Sequence, residues 1–379
     1  MENKKVILVN ISGLGVGKTN QNTPNTMKDL TDRMVCFVNN LNLLGLKRIQ
    51  ENNDELGDNV LGCYSRANIQ NPANDAFWGQ WEIAGVLSDD QQFLTFDDTL
   101  SDEIRSALMT TFKSDILCCK KMLGVHVLAE FGRLGRDANC PICYIGQDNT
   151  LNITCHENLY SHDQLNFIVE EFLKNNKFCI EKISTRIYAG TQNTFYNLGQ
   201  AKIFVSKPKQ KSLFQTVRES GIKTVGFGKI AEYFDEGEFD EVFQTRTNDL
   251  SCKMLLKSMA GVDNALLYIN LMDNDQVFLQ RGDLLGYRKC LEEVDLFVGR
   301  VRNQMNEGDV LVVTSDHGGD LVNRQNIKQD VPVLIYGTSF KYNHRFQNLN
   351  STSEIASFVE DYFGIGKNQS FLKDIVSNE

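Results

Sequence analysis

Four continuous apolar runs restrict what this chain can become: Val6–Ile11, Ala265–Leu271, Val310–Thr314 and Val331–Tyr336. A strand with one wet face alternates apolar and polar residues, whereas an unbroken aliphatic, β-branched run suits a strand buried on both faces. Between the second and third runs, Leu284, Leu291, Val294, Phe297, Val298 and Val301 recur at helical spacing, with Gly308 as a stop. A last helix is expected to open on the capping box Ser351-Thr-Ser-Glu354, bury Ile355, Phe358, Val359 and Tyr362, and end at Gly364. Strands and helices alternating in this way predict an α/β domain: a mostly parallel sheet with helices on both faces.

The middle of the chain reads differently. From about Ser101 to Lys207 the long runs vanish; helical spacing appears at Leu165, Ile168, Val169, Phe172 and Leu173, and strand-like runs at Cys140–Ile145 and Lys202–Val205. The expectation is an inserted α+β cap domain, residues 93–213, within a discontinuous core of residues 1–92 and 214–379. The Asn-rich stretches 19–26 and 52–59 read as loops. The formal net charge of -10 argues against a nucleic-acid partner and an anionic membrane surface. No apolar stretch approaches the ~18–20 residues of a membrane span, and ten scattered cysteines fit reduced thiols in a cytoplasm. Cys140-Pro-Ile-Cys143 has the CxxC spacing of a redox or zinc pair, but it opens an apolar run and reads first as the start of a strand.

Three segments carry candidate chemistry. Ser12-Gly-Leu-Gly-Val-Gly-Lys-Thr19 follows the first strand and ends like a phosphate-binding loop, with Gly13–Thr19 as the nucleotide-binding alternative. The continuation, Asn20-Gln-Asn-Thr-Pro24, lacks the helix such a loop must enter at once. Thr314-Ser-Asp-His-Gly-Gly-Asp320 leaves the carboxyl end of another strand, where open α/β sheets place their sites, and Asp316 with His317 suits a metal. Met272-Asp-Asn-Asp275, followed by Gln280, leaves a further strand and could add a carboxylate. A solvated strand end is the bland reading of each alone.

Taken in order, these pieces resemble the phosphopentomutases of the alkaline phosphatase superfamily over nearly the whole chain. Val6–Gly17 is similar to that family's first strand and Asp-Ser-x-Gly-Ile-Gly turn, and Asn74–Gly85 to its Lys-Asp-Thr-x-Thr-Gly-His-Trp-Glu segment. Pro141–Thr150 with Ile153–Glu157 resembles its cap stretch, Val225–Ile230 its Val-x-x-Ile-Gly-Lys-Ile element, Thr314–Asp320 its Thr-Ala-Asp-His-Gly-Asn-Asp, and Val331–Gly337 its closing strand. The resemblance implies an alkaline-phosphatase-like fold, two divalent metals held by three Asp and three His, and a phosphoryl-carrying Thr.

Departures from the family fall on that implied site. Asp275, Asp316 and His317 are retained, while Ser12, Gln280 and Asn326 stand at the other three ligand positions. The nucleophile segment places Ala76 and Trp78 where the family has Thr, leaving Asp75 or Ser12 as a substitute. Asp148 matches a substrate-contacting Asp and Arg186 a phosphate-contacting Arg. Neutral ligands hold such ions weakly, so the expectation is one weakly held manganese or magnesium ion, or none. Loss of the hydroxyl removes the covalent step. The expected function is a pseudoenzyme or repurposed binder taking a small molecule in the core–cap cleft or a protein partner, with Trp78 offering an aromatic face to a planar ligand. The alternative is an active metal-dependent phosphomutase or phosphatase acting on a phosphorylated pentose.

Overall fold

A computed structural model describes residues 4–377 except 19–24, 57–58, 72–75, 88–93, 95, 147–148, 176–177, 179, 192–193, 206–207, 209 and 236. The chain forms two compact units: Met1–Asp89 with Lys209–Glu379, and Asp90–Pro208. The boundaries lie a few residues before the expected 92 and 213.

The strands of the first unit are β1 (Lys5–Ile11) and β2 (Cys63–Ala67). Those of the second are β3 (Leu117–Lys121), β4 (Ile142–Ile145), β5 (Leu151–His156), β6 (Lys182–Thr191) and β7 (Thr194–Val205). The first unit resumes with β8 (Lys223–Gly228), β9 (Glu241–Gln244), β10 (Ala265–Leu271), β11 (Val310–Thr314), β12 (Gly318–Asp320), β13 (Gln325–Ile327), β14 (Val331–Tyr336) and β15 (His344–Arg345).

Eight strands make the core sheet in the order β15-β2-β14-β11-β1-β10-β8-β9. β1 pairs in parallel with β10 and β11 at its centre, and β14 runs antiparallel to both β11 and β2. The apolar runs are continuous because both faces are covered. On β10, Leu267, Ile269 and Leu271 enter one core with Val294, Phe297 and Val298 of the helix Leu284–Gln304. Tyr268 turns the other way and packs on Phe214 at 4.7 Å between ring centres. Fully burying one such aliphatic side chain stabilises by ~1.5–3 kcal/mol, so these two layers dominate the unit's stability.

The last helix, Glu354–Phe363, ends at Gly364 in the left-handed region (φ 74°). Its expected capping box is half formed. Glu354 accepts the backbone N–H groups of Asn350 and Ser351, but the Ser351 hydroxyl donates to Glu82 instead of capping the helix.

The second unit is a five-stranded sheet, β3-β4-β5-β6-β7. Ile183 and Ile187 of β6 face one core with Leu165, Val169 and Phe172 of the helix His162–Asn175. Tyr188 faces the opposite side, towards Val127 of the helix Gly124–Ala138. Cys140 and Cys143 are free, and burial raises both thiols, so neither is poised as a thiolate ligand or nucleophile.

Candidate functional site

Asn10 stands in register with Asn270 on one side and Thr314 on the other, so β1, β10 and β11 end together. Three segments therefore leave one sheet edge. Ser12 follows β1, its N–H held by the Leu271 carbonyl at 3.0 Å. Asp275 sits in a π-helical turn, Asn274–Leu279, directly after β10; such turns recur at functional sites. Asp316 and His317 follow β11. Gly13 adopts φ +83° where it bridges to Gly318, and a Cβ there would meet the Asp275 Cβ at 3.5 Å.

The side chains close on one another. Ser12 Oγ donates to Asp316 Oδ2 at 3.0 Å and lies 3.2 Å from His317 Nε2. His317 Nε2 is 3.6 Å from Asp275 Oδ2 and 3.7 Å from Asp316 Oδ1. The other ring nitrogen, Nδ1, donates to the Gly318 carbonyl at 2.9 Å, which fixes it as protonated. Gln280 Nε2 is 3.3 Å from both Asp275 oxygens. Ser12, Asp275, Asp316 and His317 are each at most 2% exposed, and Gln280 is the exposed member.

Burial opposes charge on His317, but Asp316 and Asp275 outweigh it and hold the imidazolium pKa up to about 10. Burial raises Asp316, against the pull of His317. The cluster is thus a buried cation between two acidic groups.

The other expected residues are less closely joined. Asn326 lies on β13 opposite Gly319, and its Oδ1 is buried without a partner. Ala76 and Trp78 belong to the helix Ala76–Ile83, all of whose residues are buried. Trp78 is 1% exposed and packs edge-on to Phe77 at 5.4 Å, so it offers no open face to a planar ligand, contrary to the expectation. Its burial follows from the close seat of this helix: a Cβ on Gly79 would overlap the Asp316 carbonyl oxygen. Asp75 and Asp148 lie outside the described residues.

The nucleotide-loop reading of Gly13–Thr19 is corrected by the loop's own hydrogen bonds. Leu14 N–H goes to Ser315 Oγ, Gly15 N–H to Thr26 Oγ1, Val16 N–H to the Asp330 carbonyl and Gly17 N–H to Gln329 Oε1. A phosphate cradle needs those amides free. The next helix, Thr26–Thr31, is six residues long and begins eight positions after Lys18. Thr19 itself lies outside the described residues.

Sequence reading missed Asn10 and Asn270. Asn10 Nδ2 donates to Asn270 Oδ1 at 3.1 Å beneath the cluster's edge, and both side chains are buried. The available signal was a single polar residue interrupting each apolar run.

Arg186 occupies a separate place in the second unit. It lines a cavity of about 250 Å³ with Thr154, Ser184 and Asn197 from β5, β6 and β7. Thr154 is 5% exposed; among the described residues its hydroxyl has no partner and Arg186 makes no ion pair.

A sequence model of the Metalloenzyme superfamily matches residues 4–367. The chain belongs to the metalloenzyme superfamily. This superfamily member is 24% identical over 387 residues to the phosphopentomutase of Caldanaerobacter subterraneus subsp. tengcongensis, covering 98% of each chain. It is 26% identical over 388 residues to that of Acetivibrio thermocellus, covering 98% of this chain and 100% of the relative. Among solved structures it resembles a Leishmania mexicana phosphoglycerate mutase, with a TM-score of 0.50, 10% identity and 97% of each chain covered. That last likeness concerns the fold alone.

The superfamily name implies metal chemistry, and the residues present fit a two-metal set poorly. At three of the six positions where the resemblance expects a ligand, the chain has neutral Ser12, Gln280 and Asn326. Asp275, Asp316 and His317 converge within 3.7 Å and supply three donors, half of a six-ligand set. Asp316 Oδ2 accepts from Ser12, and the Asp275 oxygens face Gln280 and His317.

Proposed function

We propose that this phosphopentomutase-like chain does not run two-metal phosphoryl transfer at the Asp316 cluster, and that it works by binding a small anionic molecule. One observation carries the first half. The Ser12 hydroxyl is bonded to Asp316 and His317 in a cluster closed to solvent. A neutral hydroxyl in place of a ligand carboxylate removes charge that a pair of divalent ions needs. Ala76 and Trp78, where the sequence resemblance expects Thr, carry no hydroxyl for a covalent phosphoryl intermediate.

The binding half rests on the second unit's cavity. Arg186 brings a fixed positive charge with five donors, and Thr154, Ser184 and Asn197 line the same space. An unpartnered, buried Thr154 hydroxyl costs ~1–3 kcal/mol that a ligand oxygen would recover. The reading is of a compact anion such as a sugar phosphate.

A second reading is favoured by Asp316 Oδ1, which is buried without a hydrogen-bond partner beside His317 Nε2 and close to Asp275. One divalent ion held by Asp275, Asp316 and His317 would give that oxygen a partner and make a single-metal phosphomutase or phosphatase. Elemental analysis after dialysis against manganese separates the readings. Less than about half an equivalent supports the first, one equivalent the second, and two equivalents overturn both.

A further inference from the structure

The lysine of the glycine-rich loop has a use that the nucleotide reading did not supply. Lys18 lines a cavity of about 240 Å³ with Asn68, Gln70, Lys328 and Asp330. All of these belong to the first unit. β2 and β14 are antiparallel neighbours, with Arg66 opposite Pro332, so the end of β2 and the start of β14 bring Asn68 and Asp330 to one edge. Lys328 Nζ donates to the Gln70 carbonyl at 3.0 Å, which holds its ammonium at the rim.

The floor of the cavity is a polar group left unpaired. Asp330 is 8% exposed, and among the described residues its Oδ1 has no hydrogen-bond partner. Arg66 Nε, on the neighbouring strand and 97% buried, is also without one. Both guanidinium terminal nitrogens of Arg66 are spent on carbonyls, those of Gly17 and Ile49 among them, so the arginine does not satisfy the aspartate. Burial raises Asp330, while Arg66 and Lys18 pull it down, which places both cations within its field. A buried acceptor without a donor costs ~1–3 kcal/mol and calls for a hydroxyl, an N–H or water.

We propose that this cavity binds a small phosphate monoester that also carries a hydroxyl group, with Lys18 and Lys328 taking the phosphate and Asp330 with Asn68 taking the hydroxyl. The charges set that orientation. Two mobile ammonium groups at the mouth attract a dianion as point charges, without the fork geometry of arginine. Asp330 repels the phosphate and accepts only from a donor. A ligand amine would meet Lys18, Lys328 and Arg66 together and be rejected. The volume falls below the ~300–1,000 Å³ of sites for drug-sized ligands, so the ester is of triose to pentose size. The site uses none of Ser12, Asp275, Asp316 or His317, and it is separate from the Arg186 cavity.

Calorimetric titration of the full chain with glycerol 3-phosphate, inorganic phosphate and glycerol tests this, in wild-type and Arg186→Ala protein in parallel. The Arg186→Ala protein is expected to keep one glycerol 3-phosphate site. Lys18→Ala or Lys328→Ala in that background is expected to weaken it by about twofold to fivefold, the worth of one exposed charge pair. Asp330→Asn is expected to erase the preference for glycerol 3-phosphate over inorganic phosphate. Both lysines are exposed, so folding is not at stake in those variants. No binding by Arg186→Ala protein at about 10 mM ester, or binding indifferent to both lysines, overturns the proposal. Binding lost only with Arg186 would support the second unit's anion site and reject this one.

Discussion

Ser12 Oγ donates to Asp316 Oδ2 at 3.0 Å, and both side chains are buried. The bond satisfies a carboxylate oxygen that burial makes costly, so Ser12→Ala should lower stability by about 1–3 kcal/mol. Ser12→Asp should do more. It adds a third carboxylate around one imidazolium, and an uncompensated buried charge costs about 3–5 kcal/mol. Thermal melting in chelator should therefore fall for Ser12→Asp below Ser12→Ala. Manganese should then raise the Ser12→Asp melting temperature more than that of the wild type. Equal melting of both variants in chelator would contradict this view of the cluster.

Glu82 is the second polar anchor of the core. Fully buried, it accepts from Gln70 N, Asn71 N, Thr352 N and the Ser351 hydroxyl, joining the helix Ala76–Ile83 to the approach of the last helix. Glu82→Ala leaves several buried donors unpaired and should cost about 3–5 kcal/mol in urea unfolding. Glu82→Gln, which keeps acceptor oxygen but adds a competing NH₂, should lose less.

Gly79 is set by space alone. A methyl group there would overlap the Asp316 carbonyl oxygen. Although alanine favours helices by ~1 kcal/mol over glycine, Gly79→Ala should destabilise the protein by 2 kcal/mol or more, about the cost of overpacking a core. An increase in melting temperature would show that the helix does not rest on Asp316 as described.

The cysteines should behave as inert core residues. Burial pushes the Cys63 and Cys290 thiols up to about 12 and raises Cys143 and Cys155 as well. Thiolate is the reactive species, so a disulfide reagent at pH 8 should titrate these four thiols only after denaturation. Rapid native labelling of Cys143 would revive the redox reading of Cys140 and Cys143.

Much of the core sheet was legible because both of its faces are buried, and such strands write continuous runs. The runs at 265–271, 310–314 and 331–336 coincide with β10, β11 and β14. The direction of β14 was not legible, since an antiparallel strand covered on both faces has the same composition as a parallel one. Asp275, Asp316 and His317 were visible as polar residues at strand ends. Their closure over Ser12 was not, because it depends on registers between strands more than 250 residues apart in sequence. Burial of Trp78 was hidden for a related reason: it depends on the Gly79 contact with Asp316, which no local pattern encodes. The hydrogen bonds that close the loop before Lys18 were not legible either. The loop's amides are taken by side chains of residues 315 and 329, and that too is a long-range fact.

On the function proposed above, the Asp316 cluster does not perform two-metal phosphomutase chemistry. The most direct measurement is interconversion of ribose 1-phosphate and ribose 5-phosphate by the full chain with saturating manganese, compared with an Asp316→Asn variant. No conversion above that variant's background is expected. Turnover at an ordinary enzymatic rate, about 1 s⁻¹ or faster, abolished by Asp316→Asn, would contradict it.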